Sequence, residues 1–486
     1  MQPSNFNYKK VTSLKRKAVK GIAWSAFERF SAQGVQFILG IILARLLLPE
    51  DYGLIGMLAI FLAISDTFIQ SGFGIALIQK KNRDELDFST TLYFNVVVAV
   101  LSYVILFFTA PLIAKFYNQE ILISLTRAFG IVLIINSLAV VQRTKYTIDL
   151  DFKTQTKASI SSIVVSGGLG IYMAYSGFGV WSLVAQALTR AAINTVVLWL
   201  YSKWLPKEGF SFERFKKLFS FSSKILASAL LNTVYRNVYL IIIGKIFSIG
   251  ELGFYTRAQQ FSDFPSSNMT GIFDRVTFPI LSKFQDDDTK LKDNYRKLIK
   301  LSALLIFPLM MGLAALAEPL IQLLLTEKWM GTVWMLQLLC FAGMWYPIHS
   351  LNLSILNVKG RSDLFLKLEV VKKLMITIVI VISVPFGIKA MILGQIATSY
   401  LALVINTYYT KKIIDYGFWQ QMVDLFKVLI LSFGMGALIY ITIGLIDTNI
   451  GKLLVGFVEG AIFYLGLAWL FNIGEIRLLP SLIKRN

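Results

Sequence analysis

The chain has 486 residues, 56% of them hydrophobic and only 16% charged, with a mean hydropathy of +0.65 and a formal net charge of +20. A soluble domain carries about 25% charged residues and has no solvent in which to hide so much apolar surface, which excludes a water-soluble globular fold. A single Cys (Cys340) and a single His (His349) leave no disulfide framework within the chain and no Cys/His metal cluster, and no cofactor is expected.

Residues 1–19 form a polar, basic tail. The apolar stretch that follows is too long for a signal-peptide core and lacks an A-x-A cleavage pattern, so it reads as a retained span. Stretches of roughly 20 apolar residues then predict about fourteen transmembrane helices, near 20–46, 53–78, 89–114, 121–141, 158–176, 178–201, 219–243, 258–281, 298–317, 333–356, 368–386, 388–410, 424–445 and 453–473. The expected fold is an all-α polytopic membrane protein.

The basic residues test this count. Every second connection is basic, beginning with Lys80, Lys81 and Arg83, then Arg143, Lys145, Lys153 and Lys157, and continuing through Lys372, Lys373, Lys411 and Lys412. The intervening connections hold only Lys115, Lys245, Arg257, Lys328, Lys389 and Lys452. An unbroken alternation predicts an even number of spans with both termini cytoplasmic. The same pattern accounts for the net charge by topology, so no nucleic-acid partner is expected.

An internal repeat appears at an offset of 200. Leu43 to Gly53 aligns without a gap over Ile243 to Gly253, matching Arg45 with Lys245, Asp51 with Glu251 and Gly53 with Gly253. The offset covers six spans, an even number, and so predicts a parallel repeat about an axis along the membrane normal. The resulting expectation is a six-helix lobe over 20–204, an amphipathic linker over 205–218, a second six-helix lobe over 219–412 flanking a central cavity, and helices 13 and 14 with a cytoplasmic tail over 413–486. In the linker, Phe210, Phe212, Phe215 and Phe219 alternate with Arg214, Lys216 and Lys217, a pattern suited to the cytoplasmic interface.

Charges at membrane depth are costly and mark either a function or a partner. They are Glu28 and Arg29 in span 1, Asp66 in span 2, Arg190 in span 6, Lys224 and Arg236 in span 7, Asp263, Asp274 and Arg275 in span 8, and Glu459 in span 14. Most fall in spans 1, 2, 7 and 8, which correspond under the repeat. Two readings stay open: internal salt bridges, or a cavity lined by cations. Arginine suits a diphosphate because its planar fork binds two oxygens at once. Pro265, Pro279 and Pro308, with Gly34, Gly40, Gly72 and Gly74, allow bending or close helix packing.

The segment from Ala44 to Gly53, including Arg45 and Pro49, resembles bacterial polysaccharide flippases of the Wzx type. So do Ser71 to Gln79, Leu252 to Gln260 and Phe278 to Ser282. These proteins belong to the multidrug/oligosaccharidyl-lipid/polysaccharide superfamily, and the resemblance covers essentially the whole chain. It implies a transporter of the bacterial cytoplasmic membrane that moves an undecaprenyl-diphosphate-linked oligosaccharide between leaflets by alternating access. A peptidoglycan-precursor flippase or an ion-coupled multidrug antiporter of the same superfamily is the alternative. On this reading Arg29, Arg190 and Arg236 contact the diphosphate, and Lys224 and Arg275 capture it first. Asp66, Asp263 or Asp274 takes a coupling proton or sodium ion, with Glu28 as a charge partner. Membrane lipids, glycosyltransferases and a polymerase are the implied partners. A membrane glycosyltransferase is disfavoured, because connections of about 17 residues leave no room for a catalytic domain.

Overall fold

The computed structural model describes residues 31–70, 72–202 and 204–471, and every regular element among them is helical. The terminal tails, Glu28 and Arg29 lie outside the described residues. The helices of the first half are α1 (Ser31–Leu46), α2 (Pro49–Gln70), α3 (Phe73–Gln79), α4 (Glu85–Tyr117), α5 (Ile121–Ile148), α6 (Phe152–Tyr175), α7 (Trp181–Tyr201), α8 (Phe212–Ile246) and α9 (Ile249–Ser282). Those of the second half are α10 (Asp288–Ala315), α11 (Ala317–Leu325), α12 (Gly331–Gly343), α13 (Tyr346–Val358), α14 (Ser362–Ser383), α15 (Ile388–Ile414), α16 (Phe418–Ile443) and α17 (Asn449–Leu470).

Among the described residues, ten helical stretches are long and apolar enough to cross a membrane. They are α2 with α3, then α4, α5, α6, α7, α8 from Ile225 onward, α10, α15, α16 and α17. The four other expected spans fall on α1, α9, α12 with α13, and α14. Helix α1 is described only from Ser31, and the other three have a physical reason to be less apolar or shorter. Helix α9 carries Glu251, Arg257, Asp263 and Asp274, and α14 carries Lys367, Glu369, Lys372 and Lys373. The expected span 333–356 is two helices of 13 residues each, with Pro347 in the first turn of the second. The expected span 53–78 is also interrupted. Gly72 caps α3 with φ +75°, a left-handed conformation that costs a residue with a Cβ about 1–2 kcal/mol. By contrast α9 runs unbroken through Pro265 and Pro279, and α10 through Pro308.

The sequence repeat has a structural counterpart. Leu48 N–H donates to Asp51 Oδ2 at 2.9 Å, and Ser248 N–H donates to Glu251 Oε2 at 2.9 Å, so the two aligned acids hold the first turns of α2 and α9 in the same way. These first turns also meet. A Cβ on Gly53 would press on the carbonyl oxygen of Ile249, and one on Gly253 on the carbonyl oxygen of Pro49, each under 3.0 Å. Since Pro49 aligns with Ile249 and Gly53 with Gly253, the contact is reciprocal, as a local twofold requires.

The chain forms two compact units, one ending at Gly253 and one beginning at Phe254. The repeat sets its joint at 205–218 instead. The difference arises because α8 packs on α2, α3 and α4 within the first unit. Helices α2 and α8 run antiparallel: Met57 touches Gly244, Thr67 Oγ1 lies 2.9 Å from Thr233 Oγ1, and Gly72 lies against Ile225. Residues 204–219 are seated on the α3–α4 corner. Arg214 pairs with Asp84 at 2.7 Å, the Trp204 indole donates to Glu85 at 2.5 Å, and Phe215 packs among Phe73, Phe94 and Phe219. Phe210, Phe212, Lys216 and Lys217 stay exposed, as an interfacial segment requires.

The second unit closes over an aromatic core. Phe307 packs edge-on against Trp345 at 5.0 Å, and Trp345 against Tyr400 at 5.3 Å. Helix α16 lies on α10, and α17 packs on α16 and α11.

Candidate functional site

In the first unit, four neighbouring helices each carry a charge within their length. Helix α8 packs on α2, α2 on α5, and α5 on α7. Along that series lie Arg236, Asp66, Arg143 and Arg190. Asp66 is half-buried and accepts a hydrogen bond from Gln70 Nε2 at 2.5 Å, one turn further along α2. Its bond is therefore to an amide, and it makes no salt bridge to Arg190. Arg143, whose side chain is exposed, lies near enough to act electrostatically on both Asp66 and Arg190. Arg236 is exposed and sits one turn from Thr233, whose contact with Thr67 places it level with the approach to Asp66.

This arrangement leaves two like charges, Arg143 and Arg190, on adjacent helices with the Asp66 carboxylate near Arg143. In a medium of low dielectric such a group attracts an anion strongly. Polar groups continue the theme nearby. The side-chain amides of Gln142, adjacent to Arg143, and of Asn95 are fully buried, with no hydrogen-bond partner among the described residues. Orphaned amides at membrane depth are costly, which points to an interior that receives polar matter.

The second unit has its own polar interior. Ser350 Oγ donates to Asp274 Oδ1 at 2.5 Å, so this expected ion-coupling carboxylate is hydrogen-bonded across helices. His349 contacts Ser399 at 3.2 Å and Asn406 at 3.4 Å, which makes it a hydrogen-bonded helix residue. On α14, Glu369 pairs with Lys372 and reaches Lys373 at 3.8 Å, with only 14% and 10% of the two lysine side chains exposed. Asp263 is exposed on α9. The side chains of Lys224 and Arg275 lie outside those described.

Lys372 and Lys373, counted with the basic connections, fall within the expected span 368–386 and are largely buried beside Glu369, whereas Arg143 is exposed near the end of α5. The family-motif residues are structural. Pro49, Gly53 and Gly253 make the reciprocal contact, Gly72 the break between α2 and α3, and Gly74 a close approach to Thr144. Arg45 lies exposed near the end of α1.

The family described as "Polysaccharide biosynthesis protein" matches residues 42–334, more than half of the chain. The chain belongs to this family. Among curated polysaccharide biosynthesis relatives, it is 28% identical to the teichuronic acid biosynthesis protein TuaB of Bacillus subtilis, over 72% of this chain and 73% of that protein. It is 25% identical to the lipopolysaccharide biosynthesis protein WzxC of Escherichia coli, over 81% and 80%. In fold it is similar to the lipid II flippase MurJ in an inward closed conformation, with a TM-score of 0.74 at 15% identity, covering 94% of this chain and 100% of that one. The family and the ten spanning helices together make it a multi-pass membrane protein of polysaccharide biosynthesis.

Proposed function

We propose that the chain is a flippase that moves an undecaprenyl-diphosphate-linked oligosaccharide repeat unit across the bacterial cytoplasmic membrane by alternating access. The observation that carries this reading is the set of cations Arg236, Arg143 and Arg190 along the packed series α8, α2, α5 and α7, with Asp66 of that series bonded to Gln70. A diphosphate supplies the negative charge such a group lacks, and the guanidinium forks suit its oxygens. The lipid tail stays in the bilayer while the headgroup passes the cations. Relatives named for teichuronic acid and lipopolysaccharide biosynthesis support a saccharide cargo. Asp66 is the carboxylate best placed to couple a proton or sodium ion to the cations, because Arg143 acts on it directly. The protein makes and breaks no covalent bond, and it works beside the glycosyltransferases and polymerase that build and consume its cargo. Both termini face the cytoplasm.

The test is deletion followed by lipid analysis and complementation. Loss of the protein leads to accumulation of a sugar-loaded undecaprenyl lipid in the inner leaflet, and Arg190→Ala or Arg236→Ala fails to clear it. Unchanged lipid pools and surface polysaccharide would sink the reading. Accumulation of the peptidoglycan precursor instead would assign the same diphosphate chemistry to a different cargo.

A further inference from the structure

A second charged recess lies away from the arginine series, where α4 meets α5. It has a volume of about 460 Å³ and is lined by Tyr103 of α4, Glu120 in the α4–α5 turn, and Ser124, Arg127, Ala128 and Ile131 of α5. Its depth follows from helix length. Helix α4 has 33 residues, about 50 Å at 1.5 Å per residue, against a hydrocarbon core of about 30 Å, so it reaches about 10 Å into each headgroup region. The turn at Asn118, in the left-handed conformation, starts α5 at the same level. Arg127, six residues into α5, therefore sits about 9 Å inward, at the boundary between acyl chains and headgroups.

Among the described residues, the two charges in the recess have no ionic partner. Arg127 lies over the Phe107 ring, 4.2 Å from its centroid, and its Nε donates to the Phe107 carbonyl oxygen at 3.4 Å. Stacking fixes the plane of the guanidinium and leaves its terminal amino groups for a ligand. Glu120 precedes α5 but makes no side-chain capping bond. Arg127 and Glu120 do not pair with each other, although they line one recess.

Their order along α5 specifies a ligand. From the membrane interior outward come apolar Ile131 and Ala128, then cationic Arg127, then Ser124 with Ile123 beside it, then anionic Glu120. A phospholipid with an amine headgroup presents the complementary sequence: acyl chain, phosphate, ammonium. A purely anionic lipid would meet repulsion from Glu120. Next to Tyr103 around α4, Val100 and Val104 are exposed and apolar, as is Ile131 of α5, and acyl chains can lie against them. We propose that the α4–α5 recess is a binding site for a zwitterionic aminophospholipid, its phosphate on Arg127 and its ammonium on Glu120.

The experiment uses the purified full-length protein, exchanged into vesicles of equimolar phosphatidylethanolamine and phosphatidylglycerol and read by native mass spectrometry for retained lipid. Phosphatidylethanolamine is retained in preference. Glu120→Gln lowers that preference about fivefold, the equivalent of a half-exposed ion pair of about 1 kcal/mol, while phosphatidylglycerol stays bound. Arg127→Gln lowers retention of both lipids. Lys115→Gln, a nearby exposed cation on α4, leaves the preference unchanged. Equal retention of the two lipids by the unaltered protein, a preference intact in Glu120→Gln, or an equal loss in Lys115→Gln would overturn the site. Should Arg127→Gln not fold, Glu120→Gln decides the question alone, since its side chain is exposed and supports no helix cap.

Discussion

At the scale of single residues, environment separates charges that look alike in the sequence. Arg143 and Lys81 both belong to the basic alternation and both are exposed, yet Arg143 lies near enough to Asp66 and Arg190 to act on them electrostatically, while Lys81 sits in the α3–α4 turn. Arg143→Ala is expected to lower lipid export about tenfold, the equivalent of about 1.4 kcal/mol of lost anion binding. Lys81→Ala should stay near the unaltered rate, and equal effects in a complementation assay would refute the assignment. Asp87 makes a second contrast. It is fully buried, accepts two hydrogen bonds from Lys80 Nζ at 2.6 and 2.5 Å, and completes the capping box of α4 with Asp84. Asp87→Ala leaves the lysine unpaired in a confined place and is expected to cost about 3 kcal/mol. Thermal unfolding in detergent measures it, with the exposed Glu213→Ala as the comparison that should change little. The sequence could not distinguish these residues, because hydropathy places the end of a span only to within several residues, and one turn decides whether a cation is inside or outside.

At the scale of helices, the sequence was more informative. The alignment of Gly53 with Gly253 is visible as a repeat, and the structure turns it into a contact in which each glycine meets the other's first-turn backbone. A methyl group at either position meets a carbonyl oxygen, which cannot rotate away, so relief comes only by separating α2 from the start of α9. Gly53→Ala and Gly253→Ala are each expected to destabilise by about 1–3 kcal/mol. Because either one alone separates the helices, the double substitution should cost less than the sum. Gly168→Ala, where nothing lies within 4 Å, should be neutral or stabilising by a few tenths of a kcal/mol through helix propensity. A fully additive double-mutant cycle would show that the two glycines do not share one contact. Other features of the helices were not legible. Gly72 is one of several glycines that allow bending and the sequence does not single it out, and Pro265 and Pro279, which look like breakers, sit in an unbroken α9. Proline marks where a helix can bend, but neighbouring packing decides whether it does.

At the scale of the whole chain, the alternation of basic connections makes a claim about sidedness that can be tested directly. The turns at 118–120, 176–180 and 444–448 contain no Lys or Arg, whereas 80–84 contains Lys80, Lys81 and Arg83, and 359–361 contains Lys359 and Arg361. If both termini are cytoplasmic and the spans number fourteen, the first group faces outward and the second inward. The chain is suited to the measurement because Cys340 is its single cysteine and is fully buried on α12. Cys340→Ala removes a small apolar group at a cost of about 1 kcal/mol and gives a background for single cysteines. A membrane-impermeant maleimide applied to intact cells should label Asn118→Cys, Gly177→Cys and Asp447→Cys. It should label Asn82→Cys and Gly360→Cys only after the membrane is opened. The later positions are the decisive ones, since Gly360 follows α9 and α12 with α13, and Asp447 follows these and α14, the helices whose charges or breaks keep them below the apolarity of the other spans. If one of these failed to cross, every later connection would change side. Failure of α9 or of α12 with α13 would exchange the labelling of both Gly360 and Asp447 with respect to the early turns, failure of α14 that of Asp447 alone, and the repeat of two parallel six-helix sets would lose its even count.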